Sequence, residues 1–166
     1  MLKKDFEAVL PELRRTYDLQ KTKPVVKFLE GKEGIRFALN DIVDSQRRGD
    51  KFYRYSSKKS IMAAEKYMPR DWRARRDAKQ LQREMITDDI AEWQKKNCWS
   101  HFHRLLPPDS GLLTDNIAEV IYGDKVAFAD FDSEVAIIIE DALIADFQKK
   151  LFRVLYRLLK SPAATT

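Results

Sequence analysis

Residues 24–57 read PVVKFLEGKEGIRFALNDIVDSQRRGDKFYRYSS, and the change of hydrophobic period inside this stretch decides the fold. Pro24 opens Val25-Val26-Lys27-Phe28-Leu29, a run rich in residues that suit a strand. After Gly31 the apolar positions become Ile35, Ala38, Leu39, Ile42 and Val43, the spacing of one helical face, and the helix is predicted to end near Arg48-Gly49. Phe52-Tyr53-Arg54-Tyr55 is then a second strand, stopped by the polar cluster Ser56-Ser57-Lys58-Lys59-Ser60. A strand-helix-strand unit predicts a right-handed crossover in a largely parallel sheet.

Further along, Ile61 to Lys79 is helical with a restart at Pro69, Arg83 to Ile86 is a short strand, and Thr87-Asp88 begins another helix. Ser100 to Leu106 alternates as a strand that Pro107-Pro108 ends. The last third differs in kind. Ile117 to Tyr122, Val126 to Phe131 and Val135 to Ile139 are separated by Gly123-Asp124 and Asp132-Ser133, turn chemistry that makes hairpins. A final helix carries Ile144, Phe147, Leu151, Leu155 and Leu158 on one face, with Phe152, Tyr156 and Leu159 beside it. The expected class is α+β, or mixed α/β: a central mixed sheet with crossover helices, a C-terminal β-meander and a packing helix.

At the N-terminus Leu2, Phe6, Val9, Leu13 and Tyr17 form a narrow stripe, although Pro11 confines the dependable helix to Pro11–Leu19. Such a stripe suits packing on a second copy, and equally packing on the chain's own core. Residues 1–22 are therefore read as an N-terminal helical segment, 23–160 as the main domain and 161–166 as a frayed tail.

A chain of 166 residues with 44% hydrophobic and 34% charged residues, only 5 Gly and 6 Pro, is excluded from the collagen-like and disordered classes. Its lone cysteine, Cys98, leaves an internal disulfide and a cysteine-based zinc site unsupported. The longest strongly apolar run, Val135 to Ile139, is far short of the ~20 residues a membrane-spanning helix needs. Acids at Asp5, Glu7 and Glu12 interrupt any secretory core, so a cytoplasmic protein without membrane association is expected. The charge is lopsided: residues 1–83 hold 22 Lys+Arg against 12 Asp+Glu, and residues 84–166 hold 9 against 14. A dipole of this kind suits an acidic partner, self-association or simple solubility.

Four constellations carry potential chemistry. His101-Phe-His103 approaches the phosphodiesterase signature H-x-K-x-x-x-x-D, which supplies a nucleophilic imidazole, a lysine for the phosphate charge and an acid. His103 stands at the lysine position and Pro108 at the acid position, so no catalysis is expected. As neighbours on one strand face the two histidines could also ligate a metal, but no third ligand is evident and no metal or cofactor is expected. Asp130, Asp132 and Glu134 resemble a phosphatase D-x-D in isolation, and in context read as solvation of a hairpin turn. Gly31-Lys32-Glu33-Gly34 lies between a strand and a helix, which favours a plain turn over a phosphate clamp. Arg47 to Arg83 holds 13 Lys+Arg against 4 acids. There Trp72 could stack a base while Arg73, Arg75 and Arg76 bind phosphates, against the plainer reading of a solvated helix.

Taken in order, KPVVKFLEGKEGIRFALNDIV (23–43), YRYSS (53–57), YMPRDWRARR (67–76) and IYGDKVAFADFDSEVAIIIEDALIADFQKKLF (121–152) resemble the C-terminal effector region of TrmB-like transcriptional regulators, notably their bacterial candidate-phylum branch. The similarity spans residues 8 to 159. It implies a phospholipase D-like fold, usually without the catalytic signature, that serves ligand sensing and dimerisation behind a DNA-binding winged helix-turn-helix. Fewer than ten residues precede the matching segment, so the chain is read either as a fragment of a regulator or as a stand-alone domain. Lys79-Gln80-Leu81-Gln82 and the segment PPDSGLLTDN (107–116) depart from the family pattern, which alters the loops around any pocket.

Two functional expectations follow. The first is a non-catalytic sensor and homodimerisation domain, with a small-molecule effector pocket lined by Ser56, Ser57, Arg76, Thr87 and His103, a dimer seam at Leu2, Phe6, Val9, Leu13 and Tyr17, and DNA reached through an upstream winged helix. The second is a stand-alone inactive module that binds nucleic acid through Arg70, Trp72, Arg73, Arg75, Arg76 and Lys79.

Overall fold

A computed structural model describes Pro11, residues 23–94 and residues 101–159. The stripe Leu2, Phe6, Val9, Leu13 and Tyr17 and the tail 161–166 lie outside the described residues. The elements run β1 (Val25–Glu30), α1 (Gly31–Asp44), β2 (Lys51–Ser56), α2 (Lys58–Tyr67), α3 (Trp72–Ala78), β3 (Gln82–Thr87), α4 (Ile90–Gln94), β4 (His101–Leu105), a 3-10 turn (Pro108–Ser110), β5 (Ile117–Tyr122), β6 (Lys125–Asp130), β7 (Val135–Glu140) and α5 (Ala142–Leu158). Among the described residues these strands form one sheet in the order β1-β7-β6-β5-β2-β3-β4.

The sheet is mixed, as the expected class requires, and parallel only in the part built by crossovers. β2, β3 and β4 run parallel, as crossovers through helices require, whereas in the run β5-β6-β7-β1 each strand is antiparallel to its neighbour, and β5 is antiparallel to β2. β1 and β2 point the same way, as the strand-helix-strand unit demands, but the whole meander is inserted between them. The long register from Val25↔Glu140 to Glu30↔Val135 carries β1 to the far edge.

Helices cover both faces. On one, α1 buries the expected stripe of Ile35, Ala38, Leu39, Ile42 and Val43, and joins Ala64 and Tyr67 of α2, Trp72 of α3 and the sheet residues Phe52, Val120, Tyr122 and Ile138 in the larger core. The turn into α1 is tight. Gly31 has φ +72°, and a β-carbon on Gly34 would lie 2.7 Å from the Leu29 carbonyl carbon, so Gly34 lets the first turn of α1 press on the end of β1. On the other face α5 meets Tyr53, Ile86, Ile121 and Val126 through Ala145 and Phe152.

The face of α5 is rotated from the expected one. Phe152 is wholly buried, while Phe147, Leu151 and Leu158 stand 60%, 48% and 78% exposed. The reason is that α5 is apolar around most of its circumference, so periodicity alone does not choose which stripe meets the sheet; Phe152 wins because Tyr53, Tyr55 and Tyr156 all pack on its ring, with centroids 5.1, 5.0 and 5.5 Å away.

The acidic run behaves as a turn. Asp130 accepts from the backbone N–H groups of Asp132 and Ser133, which holds its carboxyl below the usual range, and Glu134, at φ +52°, accepts from the Tyr67 hydroxyl at 2.8 Å.

Candidate functional site

β5 reads IAEVIY, and strand alternation sends Ile117, Glu119 and Ile121 to the α5 face while Ala118, Val120 and Tyr122 enter the larger core. Glu119 is thus a charge on an otherwise apolar row. It lies opposite Tyr55 of β2 on one side and Phe128 of β6 on the other. α5 runs across this face without closing it. Between them is a cavity of about 490 Å³, within the range of small-molecule sites. Its floor is Tyr55, Ile117, Glu119 and Phe128, one wall is Gln148, Leu151, Val154, Leu155 and Leu158 of α5, and the other is Leu112, Leu113 and Asp115 from the loop before β5.

The Glu119 Oε1 atom is shut from solvent and accepts no hydrogen bond. Burial, which penalises the charged form, pushes this carboxyl from the ordinary 4.5 up to about 7. Tyr55 is pushed up to about 12 by burial and by the Glu119 charge. A carboxyl that titrates near neutrality and faces an apolar space can accept a hydrogen bond, pair with a cation or hold a proton. Sequence reading missed this site, although one signal was present: a single acid at an inward position of an apolar strand.

A second cavity of about 520 Å³ opens beyond the ends of β2, β3 and β4, with Ser57, Lys58, Lys59, Asp88, Leu106 and Thr114 in its lining. Of the five expected pocket residues, Ser57 alone lines it. Ser57 is largely spent on structure, since its hydroxyl caps α2 by accepting from Ser60 N–H at 3.0 Å. Ser56 is buried against the Ser60 hydroxyl at 2.8 Å, and buried Thr87 accepts from Asp89 N–H. Arg76 is 8% exposed, holds Asp77 and lies over the Trp72 ring. His103 is 1% exposed, with Nε2 3.1 Å from Arg83 Nη2 and 3.7 Å from Glu92. The structure does not gather these five around one space.

His103 belongs instead to a buried charge cluster. Arg83 holds Glu92 at 3.0 Å, with side chains only 13% and 7% exposed, and buried Arg54 is brought down to about 10 by desolvation first and by the Arg83 charge second. This cluster ties β2, β3, β4 and α4 together.

The basic helix α3 is likewise occupied. Trp72 is 4% exposed and its indole N–H donates to the Leu39 carbonyl at 2.6 Å, which leaves no ring face for a base. Arg73 pairs with Glu65, Arg75 with Asp44 and Asp71, and the Lys79 ammonium donates to the carbonyls of Val43, Asp44 and Gln46 at the end of α1. Arg70 is exposed. Among the described residues, no group of His, Cys, Asp and Glu is placed to hold a metal ion, and no helix is long and apolar enough to cross a membrane.

No protein-family profile and no curated protein sequence matches the chain. Solved structures do. The archaeal chromatin protein TrmBL2, described with a novel mode of DNA binding, superposes with a TM-score of 0.56 at 12% identity over 96% of this chain. Nuc of Salmonella typhimurium, a phospholipase D family member, gives 0.53 at 11% identity, over 83% of this chain and 97% of its own. The fold is phospholipase D-like. NucT of Helicobacter pylori gives 0.50 at 13% identity over 84% of this chain and 98% of its own. The chain spans 65% of the TrmBL2 chain, whereas it spans nearly all of either Nuc or NucT. At these identities the likeness is one of fold.

Proposed function

We propose that the chain is a non-catalytic effector domain of a TrmB-like transcriptional regulator, which binds a small molecule in the cavity between β5, β6 and α5. The carrying observation is that cavity: an apolar space of about 490 Å³ built around one buried carboxyl. The motifs at 23–43 and 121–152, which carry the likeness to the candidate-phylum branch, and the superposition on TrmBL2 support the regulator assignment. The engagement of His103 with Arg83 and Glu92 in the interior supports the absence of phosphodiester chemistry. In this reading the protein works in the cytoplasm as a homodimer, DNA is contacted by a winged helix-turn-helix domain upstream, and Leu2, Phe6, Val9, Leu13 and Tyr17 contribute to the seam between two copies. Direct nucleic-acid binding through α3 is the weaker reading, because Trp72 is packed on α1 and the α3 arginines already hold acids.

Thermal melting of the chain with a panel of cationic, neutral and anionic apolar small molecules tests this reading. A rise in melting temperature for some of them, lost on Leu151→Trp, which fills the cavity, is expected; no rise for any compound, or turnover of a chromogenic phosphodiester by the chain, overturns it.

A further inference from the structure

The cavity is unusual in the balance of its lining. Its lining is mainly leucine, isoleucine, valine and phenylalanine side chains, with Tyr55 and Gln148 as its uncharged polar residues, and its charged groups are both acidic: Glu119 at the floor and Asp115 in the loop. Among the described residues, no Lys, Arg or His lines it. An anionic ligand would have to approach two carboxyls with no cation to receive it, at a site where desolvation strengthens every charge interaction. A wholly apolar ligand would cover the Glu119 carboxyl at the cavity floor with hydrocarbon and offer it no hydrogen bond, which is costly. A ligand with an apolar body and one ammonium group meets both conditions, because the ammonium pairs with the Glu119 carboxyl at the cavity floor and supplies the missing charge.

On the reading of this cavity as the effector site, we infer that its ligand class is an apolar primary amine, with its ammonium group on the Glu119 carboxylate and its hydrocarbon body along α5 between Leu151 and Leu155. The size fits. A body of about ten to fifteen heavy atoms fits within a space of this volume. The titration of Glu119 then couples binding to pH. From β2 the facing titratable group is Tyr55 and from the loop it is Asp115, while β6 presents Phe128 and α5 presents Gln148 and aliphatic side chains. Glu119 is pushed up to about 7 in the free chain, so an ammonium ligand gains affinity as pH rises through that value and the carboxylate forms.

Calorimetric titration with three compounds of one shape tests this inference: 4-phenylbutylamine, 4-phenylbutanol and 4-phenylbutyrate. The amine is expected to bind about tenfold or more tightly than the alcohol, with the carboxylate weakest. Glu119→Gln, isosteric and confirmed as folded by its melting curve, is expected to bring the amine to the level of the alcohol and to flatten the rise in amine affinity between about pH 6 and about pH 8. Leu151→Trp is expected to abolish binding of all three. If alcohol and amine bind equally to the wild-type chain, and Leu151→Trp blocks both, the amine assignment is overturned while the effector cavity stands. If none of the three binds, both are overturned.

Discussion

Tyr55 and Glu119 are in-register partners across β2 and β5, so a phenol and a carboxyl share the floor of an apolar cavity at the antiparallel join between the two halves of the sheet. Burial raises both, Glu119 to about 7 from the ordinary 4.5. A folded chain that holds this proton more tightly than the unfolded one is stabilised in full below about pH 4.5 and loses that contribution as pH rises to about 7. The loss is on the order of 3 kcal/mol at most. Chemical denaturation across this range is expected to show it, and Glu119→Gln is expected to be less sensitive to pH and more stable than the wild-type chain at pH 8.

Asp41 of α1 joins the helix to the meander. Its carboxylate accepts from the Tyr122 hydroxyl at 2.8 Å and from the Lys125 ammonium at 2.9 Å, and both charged side chains are only 15% exposed. Asp41→Ala is expected to cost about 2–4 kcal/mol, because it leaves a half-buried ammonium and a buried phenol without their acceptor. Tyr122→Phe removes one bond and is expected to cost about 1–2 kcal/mol. Urea midpoints of the two variants rank these losses.

Gly34→Ala pits helix propensity against contact. Alanine gains ~1 kcal/mol over glycine in a helix interior, but its β-carbon would lie 2.7 and 3.0 Å from the Leu29 carbonyl carbon and oxygen, which are backbone atoms with little room to move. The clash should win. A net loss of about 1–3 kcal/mol is expected, read from the shift of the melting temperature.

Trp72→Phe separates a structural role for α3 from a nucleic-acid role. Loss of the indole N–H bond to Leu39 O and of buried volume is expected to cost about 1–3 kcal/mol. Salt-dependent retention of duplex DNA by the folded variant is expected to match that of the wild-type chain. A selective drop in retention would instead assign Trp72 to base stacking.

The fold was legible wherever a local pattern was unambiguous. Ile35 to Val43 sits on one stripe of α1, Pro69 separates α2 from α3, and Gly123-Asp124 turns a hairpin, all as the residues require. Long-range order was not. Nothing local in Val25 to Leu29 says that it pairs with Val135 to Glu140 at the sheet edge, and an α5 whose apolar arc covers more than half its circumference left its inner stripe undetermined until Phe152 met three tyrosine rings. The expected pocket failed for a related reason. Ser56, Ser57, Arg76, Thr87 and His103 are the polar residues that a strand-end reading selects, yet most are consumed by capping, turn and ion-pair duties in the interior. The cavity, by contrast, is built from apolar residues that read as core, and Glu119 alone betrayed it.

On the proposed function, the space between β5, β6 and α5 is where this chain binds its effector. Methyl-labelled NMR of the chain during titration with 4-phenylbutylamine tests it most directly, because the resonances report position as well as binding. Shifts concentrated at the methyl groups of Leu112, Ile117, Leu151, Val154 and Leu155, with the larger core at Ile35, Val43 and Ile138 unmoved, are the predicted result. Shifts centred on the second cavity at Met62 and Leu106, or no shifts at saturating amine, would contradict it.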